Sequence, residues 1–318
     1  MCRRCAEDYM TTTYSDIVNE VSINLAGYTM QQDRATSLSS AISTTTTTTI
    51  SVSSTNDIGK GIIEVGEELM WVENFDRVGN TLTVAPWGRG YLGTTASTAA
   101  TSSKVTISPT FPKSVIKRAV NDTIRAMGAT IFAVKQLTFT YNAAVTTYEL
   151  LDGATNVTAQ NILAMHWQEV GPSKEWIPVR RWSFEPYADI TTWGGSSASP
   201  AQTVSIYDAI TPGRTVKVLY GAAPVVMTSD SDVFTTTTGL PLSCKDVVVL
   251  GTIYRLLTFL DPARASQTSP QADEIDSKRA FGSTASIMRQ IFTLYTQRLN
   301  EETQAQQQQY PTRIHYTR

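Results

Sequence analysis

Four stretches of this sequence carry apolar residues at helical spacing, and two long runs of β pattern hold them apart. In 15–27, Ile17, Val21 and Leu25 recur every four residues with Val18 beside them, and Ser15 and Gly27 suit a start and a stop. In the second, Pro112 suits a first turn and Ile116, Val120, Ile124 and Met127 form the stripe. The third opens at Ser243 with Asp246 three residues on, in the manner of a capping box. It runs through Val247, Leu250, Ile253, Leu257 and Leu260 and stops at Asp261-Pro262. The fourth, 270–307, is the longest: Phe281, Ala285, Met288, Phe292, Tyr295 and Leu299 step alternately by four and three, a coiled-coil-like seam. At 1.5 Å per residue such a helix reaches roughly 50 Å.

Stripes this far apart in sequence form one bundle if the chain between them loops out. The expected fold class is therefore α+β: an elongated helical bundle of four helices, with a long C-terminal helix and two antiparallel β inserts. The bundle takes 15–42, 110–136 and 241–308. A small β-domain takes 43–109 and a β-sandwich-like domain 137–240. Residues 1–14 form an N-terminal extension, in which Met10 offers a second start, and 309–318 a C-terminal tail.

The first insert is read from "ISVSST", "GIIEVGEELMWVENFD", "GNTLTVAP" and "SKVTISP", four short strands of alternating pattern. The six threonines Thr44 to Thr49 that lead into it suit either a β-branched strand or a solvated linker. The second insert repeats such segments between turn-rich stretches, which suggests an antiparallel sandwich. It holds Trp167, Trp176, Trp182 and Trp193. These suit core and edge packing, or a platform for sugars.

Composition excludes little but points one way. The 318 residues are 41% hydrophobic and 17% charged, with a net charge of −2, so there is no global pull towards nucleic acid or anionic membrane. The most apolar stretch, "DVVVLGTIYRLLTFL", is broken by Arg255 and reads as a buried helix rather than a membrane span. Cys2-x-x-Cys5 lacks the second pair that a zinc site needs, and Cys244 suits a small buried residue.

Gly88-x-Gly90-x-x-Gly93 has the spacing of a dinucleotide-binding turn. Such a turn needs a strand before it, a helix opening at its third glycine and an acid about 20 residues on. "TLTVAPW" supplies the strand. "GTTASTAATSSKVTIS" has no helical stripe, and no Asp or Glu lies between Gly93 and Asn121. His166 and His315 are the only histidines, one inside a strand pattern and one in the tail. Glu67-Glu68 and Glu301-Glu302 read as solvated faces. These readings assign no catalytic residue, no cofactor and no metal.

The run "GEELMWVENFD…NTLTVAPWGRGYLGTTASTAATSSKVTISPTFPKSVIKRAVNDTI" resembles a segment of tailed-bacteriophage head-to-tail connector (neck adaptor, head completion) proteins. Glu67, Val72, Arg89-Gly90-Tyr91, Gly93-Thr94-Thr95-Ala96 and Phe111-Pro112 match that pattern in order, and "PGRTVKVLYGAAP" is similar to its closing strand. The likeness covers 15–310, and is firm over 60–126. Relatives often carry a histidine and a glycine soon after the Thr-Thr-Ala; here "STAATSSK" stands in their place, so no role for that histidine carries over.

The resemblance implies a structural virion protein and no enzyme. Copies would form a dodecameric ring in the head–tail neck, assembled in the host cytoplasm. The ring would join the portal protein to a downstream neck or tail protein and form part of a channel that double-stranded DNA passes through without specific binding. No membrane is implied. A C-terminal extension would reach the portal, which points to Tyr310, Arg313, His315, Tyr316 and Arg318, by strand addition or charged contacts. Trp87, Arg89 and Tyr91 are candidates for a subunit contact. The alternative is a tail-tip or baseplate protein whose sandwich binds host-surface carbohydrate.

Overall fold

In the computed structural model, residues 11–28, 33–152, 155–170, 174–189, 201–258 and 283–311 are described. The chain divides into two units. One comprises Ser15–Asp122 with Val249–Phe292, and the other Met1–Tyr14, Thr123–Val248 and Thr293–Arg318.

The first unit is organised by six strands: β1 (Arg34–Ser37), β2 (Thr49–Ser51), β3 (Gly61–Val65), β4 (Glu68–Asp76), β5 (Thr81–Val84) and β6 (Lys104–Ile107). They pair antiparallel in the order β1-β6-β3-β4-β5-β2. The two outer strands also meet. Leu38 bridges Val52, the Ser39 N–H donates to the Ser51 carbonyl at 3.0 Å, and the Ser53 N–H donates to that of Ser37 at 2.8 Å. The sheet thus closes on itself, which leaves few free backbone groups at its edges. Alternation along the strands points Ile50, Ile63, Val65, Met70, Val72, Leu82, Val84 and Val105 into one core. Burying each such side chain contributes about 1.5–3 kcal/mol.

"GIIEVGEELMWVENFD" is not one strand but a hairpin. Gly66, at φ 65°, turns the chain between β3 and β4, a conformation that costs glycine nothing. The threonine run is mostly a turn. Thr44 Oγ1 bonds Thr47 Oγ1 at 2.8 Å, and of the six threonines only Thr49 joins a strand.

Helix α1 (Tyr14–Tyr28) buries Ile17, Val18, Val21 and Leu25, as its spacing predicts, but Ser15 and Gly27 lie inside it rather than at its ends. Helix α2 (Lys113–Met127) starts immediately after Pro112. Its first N–H, on Lys113, donates to Glu64 Oε1 at 2.6 Å. Residues of α1, β3, β6 and the start of α2 line one cleft of about 880 Å³, with Leu25, Val65 and Ile116 among its walls.

The second unit is a sandwich. Strands β7 (Ala133–Thr140), β11 (Ala159–Gln168), β12 (Trp176–Pro178) and β15 (Thr215–Ala222) form a sheet in the order β12-β11-β15-β7. Strands β8 (Thr147–Glu149), β13 (Trp182–Ala188) and β14 (Ala201–Ile206) form another, β13-β14-β8. Leu137, Met165, Val216 and Val218 of the first meet Val204 and Ile206 of the second in one core. A two-strand ribbon, β9 (Leu151–Asp152) with β10 (Thr155–Asn156), lies beside them in sequence. All these pairings are antiparallel.

The remaining helices are α3 (Phe234–Thr238), α4 (Lys245–Leu257) and α5 (Ser283–Gln309). Ser243 sits in a 3₁₀ turn ahead of α4 instead of capping it. The seam expected on the longest helix holds except at Phe292 among the residues whose burial is described. Met288, Tyr295 and Leu299 of that seam are half-buried, but Phe292 is 47% exposed with its ring 5.0 Å from that of Tyr254, and the buried residue at this level is its neighbour Ile291. Phe281 lies outside the described residues, as do Leu260, Asp261 and Pro262.

The expected elongated four-helix bundle is therefore not what forms. Among the described residues strand makes up 33% and helix 30%, and both units are organised around antiparallel sheets. The physical reason is that a helical stripe states that a face must be buried but not against what. Leu25 of α1 and Ile116 of α2 line one cleft with Val65 of β3, a neighbourhood that the spacing of apolar residues cannot name.

Candidate functional site

The loop 85–98 is where the sequence pattern and the structure converge. It leaves β5 and returns across the start of β4. Glu68 opens β4 with its side chain 0% exposed, and Arg89 reaches it with 8% exposure. Arg89 Nε donates to Glu68 Oε1 at 2.7 Å and Nη2 donates to Oε2 at 3.0 Å. Its other contacts run to three carbonyls: Nη1 to Thr44 and Thr47 at 3.3 and 2.7 Å, and Nη2 to Ser97 at 2.9 Å. A guanidinium has five N–H donors, and five contacts use them.

Glu68 is equally well supplied. Besides Arg89 it accepts the Gly90 N–H at 2.9 Å and the Ser97 N–H at 2.8 Å. Burial alone pushes this carboxyl up, but the Arg89 hydrogen bonds, the two backbone N–H groups and the Arg89 charge outweigh it, and its pKa lies below the usual carboxylate range. A bidentate pair with every remaining donor and acceptor satisfied is the arrangement in which a buried ion pair tolerates its desolvation. It ties the threonine turn, the β3–β4 hairpin and both ends of the glycine loop to one point.

The glycines make that closure possible. A Cβ on Gly88 would lie 2.7 Å from the Trp71 carbonyl oxygen and 2.9 Å from Val84 Cγ1. Gly90 holds φ 61°, and a Cβ there would meet the Thr94 carbonyl at 2.7 Å. After Gly90 the chain makes only the 3₁₀ turn Tyr91–Gly93, with Leu92 at φ 55°. No helix opens at the third glycine, and the Gly90 N–H, which a dinucleotide turn would aim at phosphate, donates to Glu68.

The scaffold displays a cluster of rings. Trp71 of β4 stacks on Trp87 at 6.0 Å, Tyr91 sits 5.4 Å from Trp71, and Trp87 and Tyr91 are 5.8 Å apart. Trp87 is 63% exposed and Leu92 70%. Leu92 also lines a neighbouring cleft of about 500 Å³ with Thr94, Thr95, Val115 and Arg118.

Of the three residues expected to form a contact loop, Trp87 is exposed with the half-buried Tyr91 against it, while Arg89 is inside, holding the loop. Two participants were missed. Trp71 faces away from the barrel core, opposite in phase to Met70 and Val72, a signal available in the alternation. In sequence the pair Glu67-Glu68 suits a solvated face. Glu67 is indeed exposed and pairs with Lys117, but Glu68 is buried. The available signal was an arginine in the glycine loop that needs a carboxylate.

The expected docking tail divides differently. Tyr310 is half-buried, its ring 6.5 Å from that of Phe132. Arg313, His315, Tyr316 and Arg318 lie outside the described residues, as do Cys2, Cys5 and Trp193. Trp167 and Trp182 pack against the sandwich core, and the Lys217 ammonium lies 4.3 Å over the Trp176 ring. Cys244 is buried, and its thiol is pushed up to about 12 by burial and by the charge of Glu302. Among the described residues no group of three His, Cys, Asp or Glu is placed to hold a metal ion, and no helix is long and apolar enough to cross a membrane. Comparison with known proteins finds no family model and no curated protein that matches this chain.

Proposed function

We propose that this chain is a structural virion subunit: a ring-forming adaptor that joins the portal vertex of a tailed-phage capsid to its tail and forms part of the DNA channel. One observation supports the reading above others. The Arg-Gly-Tyr-x-Gly-Thr-Thr-Ala stretch that carries the resemblance is built as a fixture around the buried Glu68–Arg89 pair, and it holds Trp87 and Leu92 exposed beside the half-buried rings of Trp71 and Tyr91. Rigid, amphipathic aromatic rings on a pre-ordered loop are what a protein contact uses, because little conformational entropy is lost on docking. The ring cluster is the contact surface between copies in this reading.

Quantitative mass spectrometry of purified virions tests it. The chain is expected in the particle at a copy number close to that of the portal protein. Its absence from complete virions, or presence at a level far below the portal, refutes the reading.

A further inference from the structure

One edge of the sandwich is open. β7 closes the order β12-β11-β15-β7, and among the described residues no strand lies beyond it. Its hydrogen-bonding phase is fixed at both ends. The Tyr141 N–H donates to the Arg214 carbonyl at 2.7 Å and the Gly213 N–H to the Tyr141 carbonyl at 2.8 Å, so position 141 faces β15. β7 pairs with β15 without a register shift from Ala133 to Thr140. Alternation then aims the N–H and C=O groups of Phe132, Val134, Gln136, Thr138 and Thr140 outward.

Phe132 confirms the phase. Gln306 of α5 donates Nε2 to the Phe132 carbonyl at 2.7 Å and accepts its N–H on Oε1 at 3.1 Å. A side-chain amide thus fills the first rung as a strand backbone would. The next four rungs, at Val134, Gln136, Thr138 and Thr140, meet no partner among the described residues. Beside them the edge carries a ledge of rings: Phe139 stacks on Tyr148 of β8 at 4.6 Å, and Tyr141 lies 5.9 Å from Tyr148.

We propose that this edge accepts residues 312–318 of a second copy of the chain as an added antiparallel strand. Seven residues extend about 23 Å, enough for the roughly 20 Å from Val134 to Thr140. The segment Thr-Arg-Ile-His-Tyr-Thr-Arg sets Ile314 and Tyr316 two apart between polar residues, and both would fall on one face, against the ring ledge. Within one chain α5 ends beside Phe132, where Gln306 and Tyr310 sit at the start of β7, so a strand added from that point would pair with β7 in parallel. A tail arriving from another copy can enter at Thr140 and pair antiparallel, as every other strand of this sheet does. The inference rests on the self-association proposed above only for the source of the strand, and it sends the tail to a neighbouring copy instead of to the portal.

The test is hydrogen exchange on a variant lacking 312–318, with and without a synthetic peptide of those seven residues. Saturating peptide should slow the amides of Val134, Gln136, Thr138 and Thr140 at least tenfold and leave those of Lys135, Leu137 and Phe139 unchanged. Thr138→Pro removes one outward donor and should abolish the effect, while Thr138→Ala, which keeps it, should not. Equal exchange with and without peptide overturns strand addition, whether or not the chain forms rings. In the full chain, protection of the same four amides should appear with self-association. Protection that persists in dilute single copies overturns the assignment to a second copy.

Discussion

Arg89 grips both carboxylate oxygens of Glu68, at 2.7 and 3.0 Å, with neither side chain more than 8% exposed. Removing one partner strands a charge in the barrel wall. Arg89→Ala should cost about 3–5 kcal/mol, and Glu68→Leu with Arg89→Met should recover much of that loss. Equilibrium denaturation in urea reads both. The folded-state pKa of Glu68 is depressed, so its contribution is present above the unfolded carboxylate's value and is lost as pH falls through the folded one. The stability of Glu68→Gln should accordingly fall less on acidification than that of the parent.

The glycines of the loop differ in what they permit. Gly88→Ala drives a Cβ into the Trp71 carbonyl and should cost about 1–3 kcal/mol or more. Gly93 has φ 80° but open space around it, so Gly93→Ala should cost only the left-handed backbone penalty, about 1–2 kcal/mol. The Gly88→Ala loss should exceed the Gly93→Ala loss, since only the former adds a steric clash; thermal unfolding of the two variants side by side gives the order, and a larger loss at Gly93 would contradict this packing.

Glu64 behaves oppositely to Glu68. Burial raises its pKa, against the pull of the Lys113 N–H, the Lys113 and Lys104 charges, and with the push of Asp33. The folded chain therefore binds this proton more tightly than the unfolded one. The stability it contributes is present below the unfolded value and is lost as pH rises through the folded one. Glu64→Gln keeps an acceptor for Lys113 and should be more stable than the parent at neutral pH, with the two converging in acid. Denaturation midpoints at several pH values check this.

What could be read in advance follows from range. Local patterns were legible: the stripes of α1 and α2, and the alternation of β5 and β6, each lie within a few residues. What lies opposite a stripe was not, because Leu25, Val65 and Ile116 come to one cleft from positions tens of residues apart, and nothing in a spacing of three and four names such neighbours. The Gly88 loop shows the same limit. Its flanks excluded a helix opening at Gly93, but its centre, Arg89, depends on Glu68 and on the carbonyls of Thr44 and Thr47, contacts set by barrel closure.

Trp87 is 63% exposed, and its two ring contacts stabilise the fold only modestly. Trp87→Ala should change unfolding free energy by about 1 kcal/mol. As an interface anchor it should weaken self-association by about 2 kcal/mol or more, roughly thirtyfold. Sedimentation velocity across a concentration series measures the second effect on protein whose fold the first has verified. Unchanged association would place the subunit contact elsewhere.

The adaptor reading is tested most directly by the mass of the full chain, measured by native mass spectrometry alone and after addition of purified portal. The account predicts a closed ring of many copies, formed alone or on the portal, and its loss in the variant Trp87→Ala with Tyr91→Ala. A mass of one copy in both samples, with no portal-bound species, would contradict it.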